Sequence, residues 1–370
     1  MVSRRRFLAG LALAPLARRL GAVAAEGAGA WPDDRLSEFC KRLEPVGRTL
    51  ELEGWYVWCA SPIEGPDGKT HVFFSRWPAA RGMGGWINSS EIAHAVADSP
   101  ESPFEYVQTV LAPRGSGFWD GTTCHNPHIQ KVEDRYYLFY MGNSNGRTDT
   151  KRIGLAVADS LYGPWRRPDR PLLEAGPAGA WDDHCTTNPA YLRHPDGRHW
   201  LYYKSWNTAE YNAAAGASIR GNRKYGLAVA EEVEGPYVKH PANPVIDFSG
   251  RGGSTQLEDA FVWWEDGRFR MLARDMGFFD HEVGLYLESE DGVRWSEPKI
   301  AYLPVREYVQ EPPPPPHLRR YGRFERPQLL LRNGRPAYLF VASQGGRHMT
   351  ASAFVFRVRP DPAPGPGSLD

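Results

Sequence analysis

Four carboxylates stand at or just ahead of points where an extended apolar segment begins. Glu258 and Asp259 precede Ala260-Phe261-Val262, Glu325 precedes Arg326-Pro327-Gln328-Leu329, and Asp120 lies shortly before Asn126-Pro127. Carboxyl groups drawn from distant parts of a chain into one pocket can divide proton transfer, one donating to a leaving oxygen and the other activating water. Glu258 or Asp259 is the candidate acid, and Glu325 or Asp120 the candidate base. Only one of Glu258 and Asp259 is expected to face such a pocket, because neighbouring strand residues alternate faces. The competing role for Glu325 is an ion pair with Arg326 or with an arginine from elsewhere. His125, Asn126 and Asn188 could bind hydroxyl groups. His125 could also carry a proton or ligate a metal, with His184 and His317 as weaker candidates. Arg326 is a further candidate contact to a ligand.

A second pattern competes with the first. Trp119-Asp120 precedes Asn126-Pro127 at the spacing with which Trp181-Asp182 precedes Asn188-Pro189. Repetition favours a structural job, such as an aspartate capping a loop. The functional alternative, slightly favoured for Asp120 because His125 follows it closely, is a tryptophan stacking on a ring with a polar handle beside it. Trp77, Trp86, Trp206, Phe278 and Phe279 are loop aromatics that either pack internally or offer such a platform.

These residues need a scaffold that brings them together, and the chain contains one as an internal repeat. About every 60–70 residues an apolar strand, a tight turn and an aromatic-rich strand recur. The five copies turn at Asp67-Gly68, Glu133-Asp134, Asp196-Gly197, Asp266-Gly267 and Asn333-Gly334, residue types that tolerate the positive φ of a hairpin turn. A third strand follows each pair, at Ile92, Ile153, Tyr225, Val283 and Ala351. Ser102-Pro103-Phe104, Gly163-Pro164-Trp165, Gly235-Pro236-Tyr237 and Val293-Arg294-Trp295 announce a fourth, outer strand. Four strands repeated five times predict an all-β fold, a five-bladed β-propeller with four-stranded antiparallel blades, in preference to a β-sandwich. The first strand of each blade then lines a central channel, so Ser61, Asn126, Asn188, Glu258-Asp259 and Glu325 converge at its mouth.

Composition narrows the remaining choices. The 370 residues include 44 basic and 44 acidic side chains, which gives no electrostatic reason to expect nucleic acid or an anionic membrane as partner. Ser3-Arg4-Arg5-Arg6-Phe7-Leu8 followed by an apolar run to Ala17 has the pattern of a twin-arginine export signal. Residues 1–24 are assigned to it, which implies a periplasmic or extracellular protein without a membrane anchor after cleavage. Residues 25–49 form an N-terminal segment with a short helix near 32–45, residues 50–358 the propeller, and residues 359–370 a disordered Pro/Gly-rich tail. Pro312 to Pro316 reads as an extended loop on the pocket side. Cys40, Cys59, Cys124 and Cys185 match no metal-binding spacing and are expected to be free and buried.

The runs Thr122–Tyr140, Thr186–Tyr203, Leu257–Leu272 and Phe324–Phe340 resemble the five-bladed glycoside hydrolases of the arabinanase/xylosidase type (family 43) and the neoagarooligosaccharide hydrolases (family 117). The resemblance covers roughly residues 50–358. It implies an exported enzyme that cleaves a glycosidic bond of a plant or algal oligosaccharide, exo-acting and inverting, with no cofactor, although a channel ion such as calcium stays open. Glu258 matches the position of the family's acid, and Asn188 stands where a tuning aspartate would be. The first-blade aspartate that serves as base has no counterpart, since the chain reads Trp58-Cys59-Ala60-Ser61-Pro62 there. Asp259, Glu325 and His317 or His125 are the parts offered by the second family. Two alternatives remain beside hydrolysis. One is a non-catalytic carbohydrate-binding propeller. The other is a phosphorylase, which would need a phosphate clamp containing Arg326 and Arg274.

Overall fold

The computed structural model describes residues 31–217, 219–252, 255–310, 315–316 and 322–360. The export signal, the tail from residue 361, His317 and most of the proline run therefore lie outside the described residues. In chain order the elements begin with α1 (Glu38–Lys41), β1 (Leu43–Leu50), β2 (Trp55–Glu64), β3 (Thr70–Pro78), α2 (Trp86–Ser89), β4 (Glu91–Ala97) and β5 (Glu105–Leu111). They continue with β6 (Thr123–Val132), β7 (Arg135–Asn143), β8 (Arg152–Ala158), β9 (Thr187–Arg193), β10 (His199–Ser205), α3 (Thr208–Ala213), β11 (Lys224–Ala230) and β12 (Val238–Lys239). The last are β13 (Leu257–Glu265), β14 (Arg268–Asp275), β15 (Gly284–Ser289), β16 (Lys299–Tyr302), β17 (Glu325–Arg332), β18 (Arg335–Gly345) and β19 (Thr350–Val358).

Consecutive strands pair antiparallel within β2–β5, β6–β8, β9–β12, β13–β16 and β17–β19. Each run is an up-and-down meander, and its first hairpin turns where the repeat predicts. Asp266-Gly267 and Asn333-Gly334 have positive φ at both residues, the geometry whose twist matches the flanking strands.

Two differences from the predicted strand pattern have local causes. The second meander has three strands. Beyond β8 only single bridges form, Ile153 with Leu173 and Val157 with Arg166, in a segment where Pro164, Pro168 and Pro171 lack the N–H a ladder needs. The fifth meander takes its fourth strand from the other end of the chain: β1 pairs with β19 from Leu43↔Val358 to Leu50↔Ala353. Where a helix over 32–45 was expected, a 3-10 turn at Asp33–Arg35 and a single α-turn form, the latter capped by Ser37, whose side chain accepts from Cys40 N. The chain then becomes strand.

Apolar clusters lie between successive meanders. Phe73, Ile92 and Leu111 of the first pack on Ile129, Leu138 and Tyr140 of the second. Phe139 and Leu155 meet Tyr191 and Leu201, Trp200 and Leu227 meet Val262 and Met271, and Phe261 and Leu272 meet Leu329 and Phe354. A further cluster joins the last meander to the first, Phe340 and Val355 with Val57 and Phe74. The first strands are also neighbours in turn, β2 with β6, β6 with β9, β9 with β13, β13 with β17 and β17 with β2.

Candidate active site

Every first strand carries the same irregularity. Trp58 pairs with Ser75 and Ser61 with Phe73, so Cys59 and Ala60 oppose one residue of β3. The same two-against-one bulge places Asn126-Pro127, Asn188-Pro189, Asp259-Ala260 and Arg326-Pro327 opposite single residues of their partner strands. Cys59, Asn126, Asn188, Asp259 and Arg326 all have left-handed φ, between 50° and 63°. A bulge re-aims side chains and breaks the alternation of faces. Residues on both sides of that break therefore reach one cavity: Glu258 with Asp259, Glu325 with Arg326, His125 with Asn126 and Thr187 with Asn188. The expectation that only one of Glu258 and Asp259 faces the pocket is corrected by this bulge. Ser61 lies two residues past the equivalent position, below the mouth, and donates to Gln328 Oε1 at 3.1 Å.

The five bulge residues are joined around the axis. Asn126 Nδ2 donates to Asn188 Oδ1 at 3.0 Å, and Asn188 Nδ2 donates to Asp259 Oδ1. Arg326 donates through an NH1 group to Asp259 Oδ1 at 2.8 Å and through Nε to Cys59 Sγ at 3.3 Å. Cys59 Sγ closes the circuit toward Pro127 O at 3.6 Å. The circuit forms the cavity floor. Beneath it His128 fills the axis, bonded to Gln328 Oε1 and Gln130 Nε2 at 3.0 Å each. Among the described residues no group of three or more His, Cys, Asp or Glu is placed to hold a metal ion.

The cavity above the floor measures about 160 Å³. One side is aromatic: Trp58, Trp77 and Trp86, with Met83 beside them. Trp77 is fully buried, stacked on Tyr56 and bonded through Nε1 to Gly82 O at 2.9 Å, so it is a wall with its face already occupied. Trp86 is the more open ring. His125 stands between them, its Nδ1 held by Ser90 Oγ at 2.8 Å. Burial, with the charges of Arg326 and Lys151, keeps this imidazole neutral well below the usual range. His184 stacks on Trp206 and Tyr211 and bonds Thr148 Oγ1, and it does not line the cavity.

The opposite side is ionic. Glu258 accepts from Lys204 Nζ at 2.6 Å, Arg223 Nε at 2.9 Å and Arg274 NH1 at 2.7 Å. Burial pushes its carboxyl up, but the charges of Lys204, Arg223 and Arg274 overcome this and hold it well below the usual carboxylate range. A carboxyl so held gives up its proton more readily than an ordinary one, which argues against the acid role expected for Glu258. Glu325 accepts from the same Arg274 nitrogen at 2.7 Å and from Arg323 Nε at 3.2 Å. Here burial raises the carboxyl above its ordinary value; Arg274 opposes the rise, and the charge of Asp259 adds to it. Glu325 is therefore the carboxyl of this wall whose proton affinity is raised. Two 2.7 Å bonds to one nitrogen leave the nearest oxygens of Glu258 and Glu325 no more than 5.4 Å apart. That is closer than the roughly 6.5–9.5 Å that leaves room for an attacking water. Arg326 pairs with Asp259, and Arg274 with Glu258 and Glu325.

Asp120 and Trp119 do not belong to this site. Asp120 is completely buried, bonded to Arg114 Nε at 2.6 Å, Arg167 NH1 at 3.0 Å and Tyr140 OH at 2.8 Å. Trp119 covers Tyr140 and packs where a side chain at Gly142 or Gly154 would have to go. Asp182 and Trp181 repeat the arrangement on Tyr203 and Gly226, with Lys239 as counter-ion. The pair is a structural support used twice, and the functional preference given to Asp120 and Trp119 is corrected accordingly. The residues missed from sequence are Lys151, Lys204 and Arg223. Lys204 and Arg274 occupy equivalent places, cross-strand from Thr187 and Glu258. Aligning the second strands of the repeat would have exposed them.

Comparison with known proteins agrees with the resemblance. Residues 102–219 match the profile of glycosyl hydrolases family 43. That segment contains Asp120, His125, Asn126, Lys151, Asn188 and Lys204, and ends before Glu258. No curated protein matches the chain in sequence. Among solved structures, Zg3597, a family 117 glycoside hydrolase of the marine bacterium Zobellia galactanivorans, superposes with a TM-score of 0.62 at 18% identity, covering 85% of this chain and 90% of its own. An endo-arabinase from Bacteroides thetaiotaomicron gives 0.56 at 14% identity, with 85% and 98% covered. A β-xylosidase/α-arabinofuranosidase from a compost microbial metagenome, in complex with xylotriose, gives 0.55 at 16% identity, with 85% and 93% covered. The all-β fold of four-stranded antiparallel sheets is shared with these proteins.

Proposed function

We propose that the protein is an exported glycoside hydrolase that releases a sugar from the end of an oligosaccharide of plant or algal origin, at the mouth of a five-bladed propeller. The observation that carries this reading is Glu325: a partly buried carboxyl with a raised proton affinity, in a cavity of single-sugar size with an aromatic wall opposite. Raised carboxyls are how glycosidases keep a general acid protonated near neutrality. Glu325 gives its proton to the glycosidic oxygen as the bond breaks. A water attacks the anomeric carbon from the other face and passes its proton to Asp259, the remaining carboxylate of the cavity, with inversion. Asn126 and Asn188 orient hydroxyl groups, and Glu258 keeps Lys204, Arg223 and Arg274 in place. The family 43 profile and the xylotriose held by one structural relative support an oligosaccharide substrate. The five meanders, with apolar clusters between each and the next and between last and first, support the propeller.

One observation favours a second reading, a non-catalytic sugar-binding propeller: Trp58 and Cys59 stand where the first meander would offer a carboxylate. Hydrolysis of a panel of aryl glycosides and natural oligosaccharides by the purified protein, beside Glu325→Gln, Asp259→Asn and Glu258→Gln, decides between the two. Turnover that collapses in folded Glu325→Gln and Asp259→Asn supports hydrolysis. Sugar binding without turnover on any substrate supports the binding protein.

A further inference from the structure

Resting on the reading of the cavity as a sugar site, we infer that its occupant is an anionic sugar, and that Lys151 receives the carboxylate or sulfate group this sugar carries. Lys151 immediately precedes β8. Its backbone is fixed on both sides, N–H to Thr148 O at 3.3 Å and carbonyl from Thr186 N at 3.1 Å. The side chain is 3% exposed and lines the cavity. Its ammonium makes no hydrogen bond or ion pair with any described residue; it lies 4.6 Å from the centre of the Trp206 ring and 5.8 Å from that of Trp86.

Every acid of the cavity is already engaged. Glu258 has Lys204, Arg223 and Arg274, Glu325 has Arg274 and Arg323, and Asp259 has Arg326. The other groups acting on Lys151 are the Cys185 thiol, Lys204, Arg223 and Glu258, and Lys151 in turn acts on the imidazoles of His125 and His184. Of these only Glu258 brings negative charge, and three other cations hold it. A buried cation without a counter-ion is costly, and native proteins seldom keep one. Cations outnumber carboxylates here on the side facing the aromatic wall, so a guest bearing one negative charge, with a ring face for Trp86, completes what the protein leaves open. A neutral sugar leaves Lys151 uncompensated, and an unpaired buried group discriminates strongly between ligands.

The test is titration calorimetry on Glu325→Gln, so that binding is read without turnover. The probes are methyl glucuronide, methyl glucoside 6-sulfate and methyl glucoside, with the same three in the galacto series. Expected is at least about tenfold tighter binding of an anionic probe than of its neutral parent, the scale of one charge-assisted hydrogen bond. That preference should fall to about one when Lys151→Met is added and persist with Lys151→Arg. Preference for the uronide assigns a carboxylate, and preference for the 6-sulfate a sulfate ester. Burial pulls the ammonium down to about 8, so the preference should fade as pH rises above that value. Lys151→Met without ligand should melt higher than wild type, whereas a residue with a purely structural role would melt lower. If that variant does not fold, the concentration-dependent rise in wild-type melting temperature with anionic but not neutral probes carries the same test. Equal affinity for charged and neutral probes, no binding of any anionic probe, or a preference that survives Lys151→Met overturns the inference. Efficient cleavage of neutral glycosides without such a preference would sink this inference and leave hydrolysis standing. The preference without any turnover would do the reverse.

Discussion

Arg274 donates one NH1 group to both Glu258 and Glu325, at 2.7 Å each. The two carboxylates share this cation and differ in everything else around them. Glu258 also has Lys204 and Arg223, while Glu325 has Arg323 and the repulsion of Asp259. Their proton affinities move in opposite directions. Two carboxyls driven apart in this way are how a site separates a proton donor from a permanent anion.

Removing the donor should cost turnover without costing affinity. Glu325→Gln is expected to lower kcat by about 10²–10⁴-fold, the usual contribution of a positioned acid, while calorimetric affinity for substrate stays within about threefold. Because an acid must be protonated to act, wild-type activity should fall on the alkaline side. The limb should lie above the ordinary carboxylate range, in line with the raised value of Glu325. Lowering that value is partly the work of Arg274, so Arg274→Met should move the limb to higher pH. A limb that stays put in folded Arg274→Met would remove Glu325 from the acid role.

Glu258 should matter to stability more than to proton transfer. Its folded-state proton affinity lies below the ordinary value of 4.5. The stability it contributes is therefore complete above that pH and is lost as pH falls toward the depressed folded value. Glu258→Gln leaves Lys204, Arg223 and Arg274 facing a neutral amide, a loss of about 3–5 kcal/mol by analogy with other broken buried pairs. Urea denaturation at pH 7 and at pH 4 checks both parts. The variant should be much weaker than wild type at pH 7, and the gap should narrow in acid.

Asp120 offers the contrast. Asp120→Asn strands Arg114 and Arg167 around a buried amide and should destabilise by about 3 kcal/mol or more. The folded fraction should keep wild-type kcat/KM, since the residue does not reach the cavity. Asp182→Asn should behave likewise through Tyr203 and Lys239. A specific loss of kcat at unchanged melting temperature would return Asp120 to the active site.

The repeat was legible because hairpin chemistry is local. Asp266-Gly267 and Asn333-Gly334 announce their turns, and the aromatic-rich strands after them could hardly lie elsewhere. The site was legible only to the level of which strands converge. Period-two reasoning turned one of Glu258 and Asp259 away from the cavity, and the bulge at Asp259 put both into it. No feature of a single strand marks that bulge; its signature is the recurrence of five left-handed residues followed by Pro or Ala, visible once the strands are superposed. The ionic wall was hidden for a different reason. Lys204 lies on a second strand, and Lys151 and Arg223 in the loops just before third strands; only the assembled sheets bring Lys204 and Arg223 to Glu258 on β13 and Lys151 into the same cavity. The sequence predicts a helix over 32–45 and no strand at Leu43–Leu50, because the partner of that strand is the far end of the chain.

That partnership has a consequence for how the molecule comes into being. The first of the described strands to be synthesised is hydrogen-bonded to the last of them, Leu43 to Val358. The strand at Leu43–Leu50 must therefore wait as an unpaired edge through the synthesis of everything between. Closure is the final event, slow in the way that contacts distant in sequence are slow. A chain cut short anywhere ahead of β19 is left with a clasp that has nothing to fasten to.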